Sequence, residues 1–468
     1  MWLKKGRRYL LAVYCLLIAF LMSIAGCANK LTDEHLALSA DGHGNEAGKI
    51  VIWELVLDDI AWATPMFEAA AAALHMEEEI EIVQQRLDPG VYLDQVYSSA
   101  AAKHPPDIVF GYGPLDIKKM SDVQLLYPLD SCLESYPAFQ NIPDELWHEV
   151  TWQDHVWGFP VAVRHPETLF FNKRMLAAMG WSPEKIERLP DQIALGEFTL
   201  DDLLDTATLA TELGIVESGF SLGGYASSFL PIHLFLNSEV EGGEVKHTVH
   251  QYAVEQLFRF REEIYKRNLV KEQFIQDSHN SWTTRLLFND SVANGRFLFW
   301  KGDTHLWKLW SNEFASDLGG EDYMLENFGV AMLPAADPNV PLVTPGMGNY
   351  YAIYAPDQVE PHNLDQICAF FAKVVAPDIN QIHSSLSGRQ NVNVFEPEDL
   401  QFQSDPYTTR TAHLLEKTKF WEPRRIFPWD TTYRYVLRVE SGELTPSEAA
   451  DILILEMENI FGSQLIVK

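Results

Sequence analysis

Positive charge is scarce in this chain. Lys and Arg total 35 against 66 Asp and Glu, a formal charge of −31 at pH 7. Nucleic-acid binders neutralise phosphates with Lys and Arg, so this balance excludes that class of partner. It also leaves no basic face for an anionic membrane surface. An acidic surface keeps a protein soluble and slows the approach of anions, so a polyanionic ligand is disfavoured unless one local basic pocket overrides the field. Cysteine is nearly missing, with 4 in 468 residues, and none has metal-ligand spacing. His-Glu-x-x-His, the P-loop and the dinucleotide fingerprint are absent from the sequence. Neither a metal nor a cofactor is therefore expected. The apolar run near the N-terminus, Tyr9 to Met22, has only 14 residues, too few for a comfortable membrane span. No internal repeat or low-complexity run is present.

What is there is a large apolar fraction, 47%, in a chain long enough for two or three domains' worth of core. Aromatics reach 12%, with 13 Trp. A rich core explains that excess; stacking platforms for sugar rings would also use it.

Lys4, Lys5, Arg7 and Arg8 precede the Tyr9–Met22 run, which ends in Ile24-Ala25-Gly26-Cys27. That is the layout of a secretory signal over 1–26, and its end resembles a lipobox. The resemblance implies diacylglycerol on Cys27, cleavage before it and anchoring on the extracytoplasmic face of a membrane, with a Gram-positive cell surface expected. Residues 27–47, with Asp41-Gly42-His43-Gly44-Asn45, read as a flexible tether. Cys15 falls in the signal and Cys27 takes the lipid. Cys132 and Cys368 remain; they could pair in that compartment, but their wide separation favours two buried thiols.

Past the tether, strand and helix alternate. Lys49–Glu54 reads as a strand, Thr64–Met76 as a helix with Pro65 in its first turn, and Glu79–Gln84 as a second strand. Val91–Ala102 is a helix, and Pro105–Phe110 a third strand ending in Gly111-Tyr112-Gly113. A β-α-β-α-β order implies a parallel α/β sheet, in which ligands gather beyond the carboxyl ends of the strands. Later, Thr199 with Asp202 caps a helix to Glu212, and Val249–Asn268 has the spacing of an amphipathic helix. Leu364–Val375 and a capped stretch from Thr445 to Phe461 are also read as helices.

Between these halves lies Trp157-Gly158-Phe159-Pro160, then Val161–Val163, Arg164-His165, and Thr168–Phe171 followed by Asn172-Lys173. Two short extended pieces with polar residues between them read as backbone crossing from one lobe to another. With Leu126-Tyr127-Pro128-Leu129-Asp130, Asn294-Gly295-Arg296 through Lys301-Gly302-Asp303, Phe328–Pro334 and Gly346–Ile353, this order resembles the bacterial extracellular solute-binding proteins of family 1, the sugar-binding type. The loop Ser387–Asn393 is similar to a family loop but lacks its Pro. The resemblance spans nearly the whole mature chain.

It implies a two-lobed, periplasmic-binding-protein-like α/β fold of type II, each lobe a mostly parallel sheet flanked by helices. The expected division is 48–160 with 285–343 in the N-terminal lobe, and 161–284 with 344–468 in the C-terminal lobe. It implies a monomeric receptor, not an enzyme, that binds a small solute, sugar or oligosaccharide above all, and hands it to ABC permease subunits. Matching positions suggest Trp53, Asp58, Tyr112, Arg164, His165, Trp300, Asp303, Asn349 and Tyr350 as ligand contacts, with Trp300 foremost; Trp282 and Tyr225 are weaker. For each aromatic the alternative is core packing, and for Arg164 it is an interlobe salt bridge. Two other classes stay open. Gly219-Phe220-Ser221-Leu222-Gly223 fits the hydrolase nucleophile elbow, with Ser221 as nucleophile, and carboxylate pairs could hydrolyse glycosides. A ligand-sensing lipoprotein without transport is the third.

Overall fold

A computed structural model describes residues 49–468 apart from 57–60, 88, 100, 102–104, 166–167, 222–235, 242–243, 272–281, 338–341, 343, 346, 394–405, 408–409, 412–413, 415–417 and 420–428. The signal, Cys27, the tether, Asp58, Tyr225 and the side chain of Trp282 lie outside the described residues.

The first sheet runs in the order Ile80–Gln85, Ile50–Leu55, Ile108–Gly111, Met347–Ile353, Phe159–Arg164. The first three are parallel, as the β-α-β-α-β alternation requires. Met347–Ile353 then runs antiparallel to both of its neighbours. The second sheet has the order Phe328–Met332, Thr168–Asn172, Phe297–Gly302, Ser218–Ser221. Only its last pair is parallel. Both sheets are thus mixed, because strands that return across a crossing enter with reversed direction.

Each sheet carries its own core, and the two clusters share no residue. Phe67 on the Thr64–Leu74 helix meets Tyr351 edge-on at 4.9 Å, and Phe159 stacks on Phe371 at 4.4 Å. These rings pin the Thr64–Leu74 and Leu364–Val374 helices to the first sheet. The second core takes the buried stripe Val254, Leu257, Phe258 and Ile264 of the Gln251–Lys266 helix. Tyr265, beside that stripe, is 54% exposed. Arg261 on the same stripe is buried and paired with Glu440 at 2.6 Å.

Local chemistry sets the helix ends. Thr199 accepts from the Asp202 N–H while the Asp202 carboxylate accepts from the Thr199 N–H, and Thr445 with Glu448 repeats this box at Pro446–Phe461. The left-handed His75, φ 57°, stops the Thr64–Leu74 helix.

The division of the chain differs from the expected one. Phe297–Gly302 and Phe328–Met332 pair with Thr168–Asn172 in the second sheet, whereas Met347–Ile353 joins the first. Among the described residues, the first lobe therefore takes those of 49–164 and 347–393, and the second takes those of 168–336 and 406–468. Cys132 and Cys368 are disulfide-bonded, contrary to the favoured reading of two thiols. Their bond joins the Asp130–Ser135 and Leu364–Val374 helices within the first lobe. An all-apolar strand such as Phe297–Trp300 suits the middle of either sheet, so its composition did not name its partner.

Candidate functional site

Strand ends from both lobes converge at the first crossing. Phe159–Arg164 delivers Arg164 as its last residue, and Phe297–Gly302 delivers Asp303 just beyond its end. Thr304 N–H donates to the His165 carbonyl at 3.1 Å, and His165 N–H donates to Thr304 Oγ1 at 3.3 Å, which locks the two ends side by side.

Across this seam Arg164 Nη1 donates to Asp303 Oδ2 at 2.6 Å and to the Tyr112 hydroxyl at 3.1 Å. The guanidinium lies 4.3 Å from the centre of the Tyr112 ring, so it stacks on one face of that ring as well. His305 Nδ1 lies 2.8 Å from the other carboxylate oxygen of Asp303. Burial alone would raise the Asp303 carboxyl; the neighbouring His305 and Arg164 outweigh it and hold the group well below the usual carboxylate range. Asp303 is therefore an ionised carboxylate fixed on both sides. Asn349 Nδ2 donates to the Tyr112 carbonyl at 3.3 Å, while its Oδ1 is buried with no donor among the described residues.

The loop after the Pro377–Ser387 helix closes onto the same place. Gln390 exchanges two backbone hydrogen bonds with Val163, of 2.6 and 2.9 Å, and so sets Arg389 beside Arg164. Gly388 makes this approach possible. Its φ is +67°, and a Cβ there would come 3.3 Å from Thr304 O and Lys308 Cγ. Tyr407 Oη donates to the Thr304 carbonyl at 3.0 Å, closing the second-lobe side. Glu54 is buried at the end of the first strand, accepts from the Ala63 N–H at 2.8 Å and from the Thr64 hydroxyl, and has its carboxyl raised by burial.

Of the sequence candidates, the structure brings Tyr112, Arg164, His165, Asp303 and Asn349 together. It sets three aromatics elsewhere. Trp300 is fully buried in the second core, with Phe170 parallel to it at 5.9 Å and Phe328 edge-on at 5.5 Å. Gly302 makes room for Phe170 and Trp310, whose rings would lie 3.0 and 3.1 Å from a Cβ. Tyr350 is buried in the first core, its hydroxyl bound to Glu149 and the Leu146 carbonyl. Trp53, 8% exposed, packs within the first sheet. Strand alternation could not separate these rings from ligand faces, because both sides of both sheets are covered. Arg389, Gln390, His305 and Glu54 were missed. Arg389 and Gln390 lie in the Ser387–Asn393 loop, and Val163, with which Gln390 pairs, is too distant in sequence to leave a local signal. Ser221 ends a strand and is 2% exposed; Leu222 and Gly223 of the elbow motif lie outside the described residues. Among the described residues no group of His, Cys, Asp and Glu could hold a metal ion.

Two lobes with separate cores, joined at a polar seam, define a two-lobed binding-protein fold. The profile of the bacterial extracellular solute-binding protein family matches residues 61–377, and the chain belongs to that family. Its members bind solutes and are not enzymes. No curated protein sequence matches the chain. Solved structures share the fold at low identity. The GacH receptor of Streptomyces glaucescens, solved unliganded and with acarbose, aligns over 89% of this chain and 99% of its own, with TM-score 0.65 and 16% identity. Maltose-bound MalE3 of T. maritima aligns over 88% and 99%, with TM-score 0.62 and 15% identity. The galacto-N-biose/lacto-N-biose I-binding protein of the ABC transporter from Bifidobacterium longum, solved with lacto-N-biose, aligns over 90% and 99%, with TM-score 0.60 and 13% identity.

Proposed function

We propose that this protein is a saccharide receptor of an ABC importer. A sugar or oligosaccharide binds between the lobes at the seam around Arg164, Asp303, Tyr112 and Asn349, and the lobes close on it by hinge motion. The observation that carries this reading is the buried Arg164–Asp303–His305 cluster, built from strand ends of both lobes. Oriented carboxylate, amide and guanidinium groups are what a site needs to pair sugar hydroxyls, and such a site rejects molecules that leave its groups unpaired. The sugar complexes of structurally similar proteins support the same ligand class. Cys27 carries the lipid that keeps the receptor on the outer face of the cell membrane, at a Gram-positive surface. The receptor works as a monomer and presents its closed form to the membrane permease subunits.

The test is a thermal-shift screen of the full-length chain in mild detergent against mono- and oligosaccharides, peptides and polyols. A ligand at 100 times its dissociation constant stabilises by about 2.7 kcal/mol, which moves a melting point measurably. The expected result is a shift with one saccharide class, abolished in Tyr112→Ala. A shift with peptides alone, or no shift with any saccharide, would overturn the reading.

A further inference from the structure

Among the described residues Arg389 has no partner of its own. Its side chain is 5% exposed, its Nε has no acceptor, and among the described residues it forms no side-chain hydrogen bond or ion pair. A buried guanidinium without acceptors is expensive and needs a reason. The chain around it is held firmly, by the paired backbone of Gln390 and Val163 and by Gly388 against Thr304, so the charge cannot swing out to water cheaply.

The charged groups within its electrostatic range are Arg164, Asp303 and Glu54. Neither carboxylate is available. Asp303 has one oxygen on Arg164 and the other beside His305. Glu54 has one oxygen on the Ala63 N–H and the other on the Thr64 hydroxyl. Buried His383, also within range, is pushed by burial and by Arg389 towards its neutral form and offers no charge. Two cations thus share one seam in which the carboxylates are already committed.

We infer that Arg389 is the receptor's anion reader, and that the saccharide carries a carboxylate, as a uronic acid residue does. This rests on the saccharide-receptor reading above. A guanidinium presents parallel N–H donors that match the two oxygens of a carboxylate. A monoanion suits the place better than a phosphate dianion, which would meet the fixed charge of Asp303 more strongly. The net charge of −31 does not oppose this, because a buried seam feels its own neighbours more than a surface screened by salt.

Titration calorimetry on the full-length chain in mild detergent tests it. The probes are di- and trisaccharides of galacturonate, glucuronate and mannuronate, each beside its neutral hexose counterpart, and hexose phosphates. The expected result is that one uronate saccharide binds roughly 10- to 100-fold tighter than its neutral counterpart, the range of a charge-assisted hydrogen bond. Arg389→Gln should collapse that ratio towards one, and Arg389→Lys should leave an intermediate ratio. The comparison of probes on the unaltered protein stands even if a variant folds poorly. Equal or tighter binding of a neutral saccharide overturns the inference and leaves the saccharide receptor intact. Preference for a hexose phosphate overturns the carboxylate assignment. Binding of no saccharide of any kind overturns both readings together.

Discussion

Replacing Asp303 with Ala should cost far more stability than any surface charge. Asp303 and Arg164 meet at 2.6 Å, with side chains 8% and 6% exposed, so neither group can recover hydration when the other is removed. Exposed ion pairs contribute about 0–1 kcal/mol, whereas losing one partner of a buried pair costs about 3–5 kcal/mol, because the survivor stays buried without its counter-charge. Denaturant unfolding followed by Trp fluorescence reads this directly. Arg164→Met with Asp303→Leu removes both charges and should be less destabilised than Asp303→Ala alone, since the penalty lies in the orphaned cation. The pH profile adds an independent check. The folded carboxyl ionises below its ordinary value of about 3.9. Its contribution is therefore complete above about pH 4 and fades as acid reaches the lower folded value. The stability gap between the unaltered chain and Asp303→Ala should stay flat from pH 8 to 5 and narrow below about pH 4. A gap under about 1 kcal/mol at neutral pH, or a double variant weaker than the single one, would refute the account of the seam as a buried interlobe pair.

Trp300→Ala should lose about 3–5 kcal/mol of stability, as a large core truncation does, and its denaturant midpoint should fall; an unchanged midpoint would return Trp300 to the surface of a site. Reducing the Cys132–Cys368 bond opens a loop with a sequence separation of 236 and should lower the melting temperature, with an upper bound of about 5.5 kcal/mol on the chain-entropy account. Identical melting curves with and without reductant would count against the pair. Thr445→Ala removes one half of a capping box and should cost about 1 kcal/mol in denaturant titration; a loss below a few tenths would mean that the box adds nothing to that helix end.

The parts of this fold that were legible in the sequence are those whose cause is local. Thr199 and Asp202, or Thr445 and Glu448, cap a helix with residues three apart. Pro65 fits a first turn whatever the rest of the chain does. The run of Arg164 and His165 between two apolar pieces announced a crossing because polar residues break an otherwise buried strand. Choosing a sheet for Phe297–Gly302 is a different problem. Its partner Thr168–Asn172 precedes it by more than a hundred positions, and the apolar run would be equally content in the first sheet. Trp300 misled for a related reason. Lys301-Gly302-Asp303 after it signals a strand end, and Asp303 does stand just beyond one, but three residues earlier the Trp300 side chain points into rings. A change of face per residue is the strand's own period, so proximity in sequence to a site says nothing about which side a neighbour takes.

The same topology explains why the polar seam and the cores can vary independently. Arg164, Asp303, Tyr112 and Glu54 all stand at or beside carboxyl ends of strands, where a sheet stops and its apolar layers thin out. Arg389 reaches the seam on a loop tied down by backbone hydrogen bonds to Val163, which any side chain at that position would leave in place. If Arg389 reads the ligand as proposed, selectivity can be rewritten at such a loop without touching Phe67, Phe371 or Trp300, whose packing holds each lobe together. If that separation is right, exchanges at Arg389 will change which solute binds while moving the unfolding midpoint little, and exchanges at the core rings will do the reverse. A variant at Arg389 that unfolds the first lobe as readily as loss of Phe67 would mean that the seam is a structural brace.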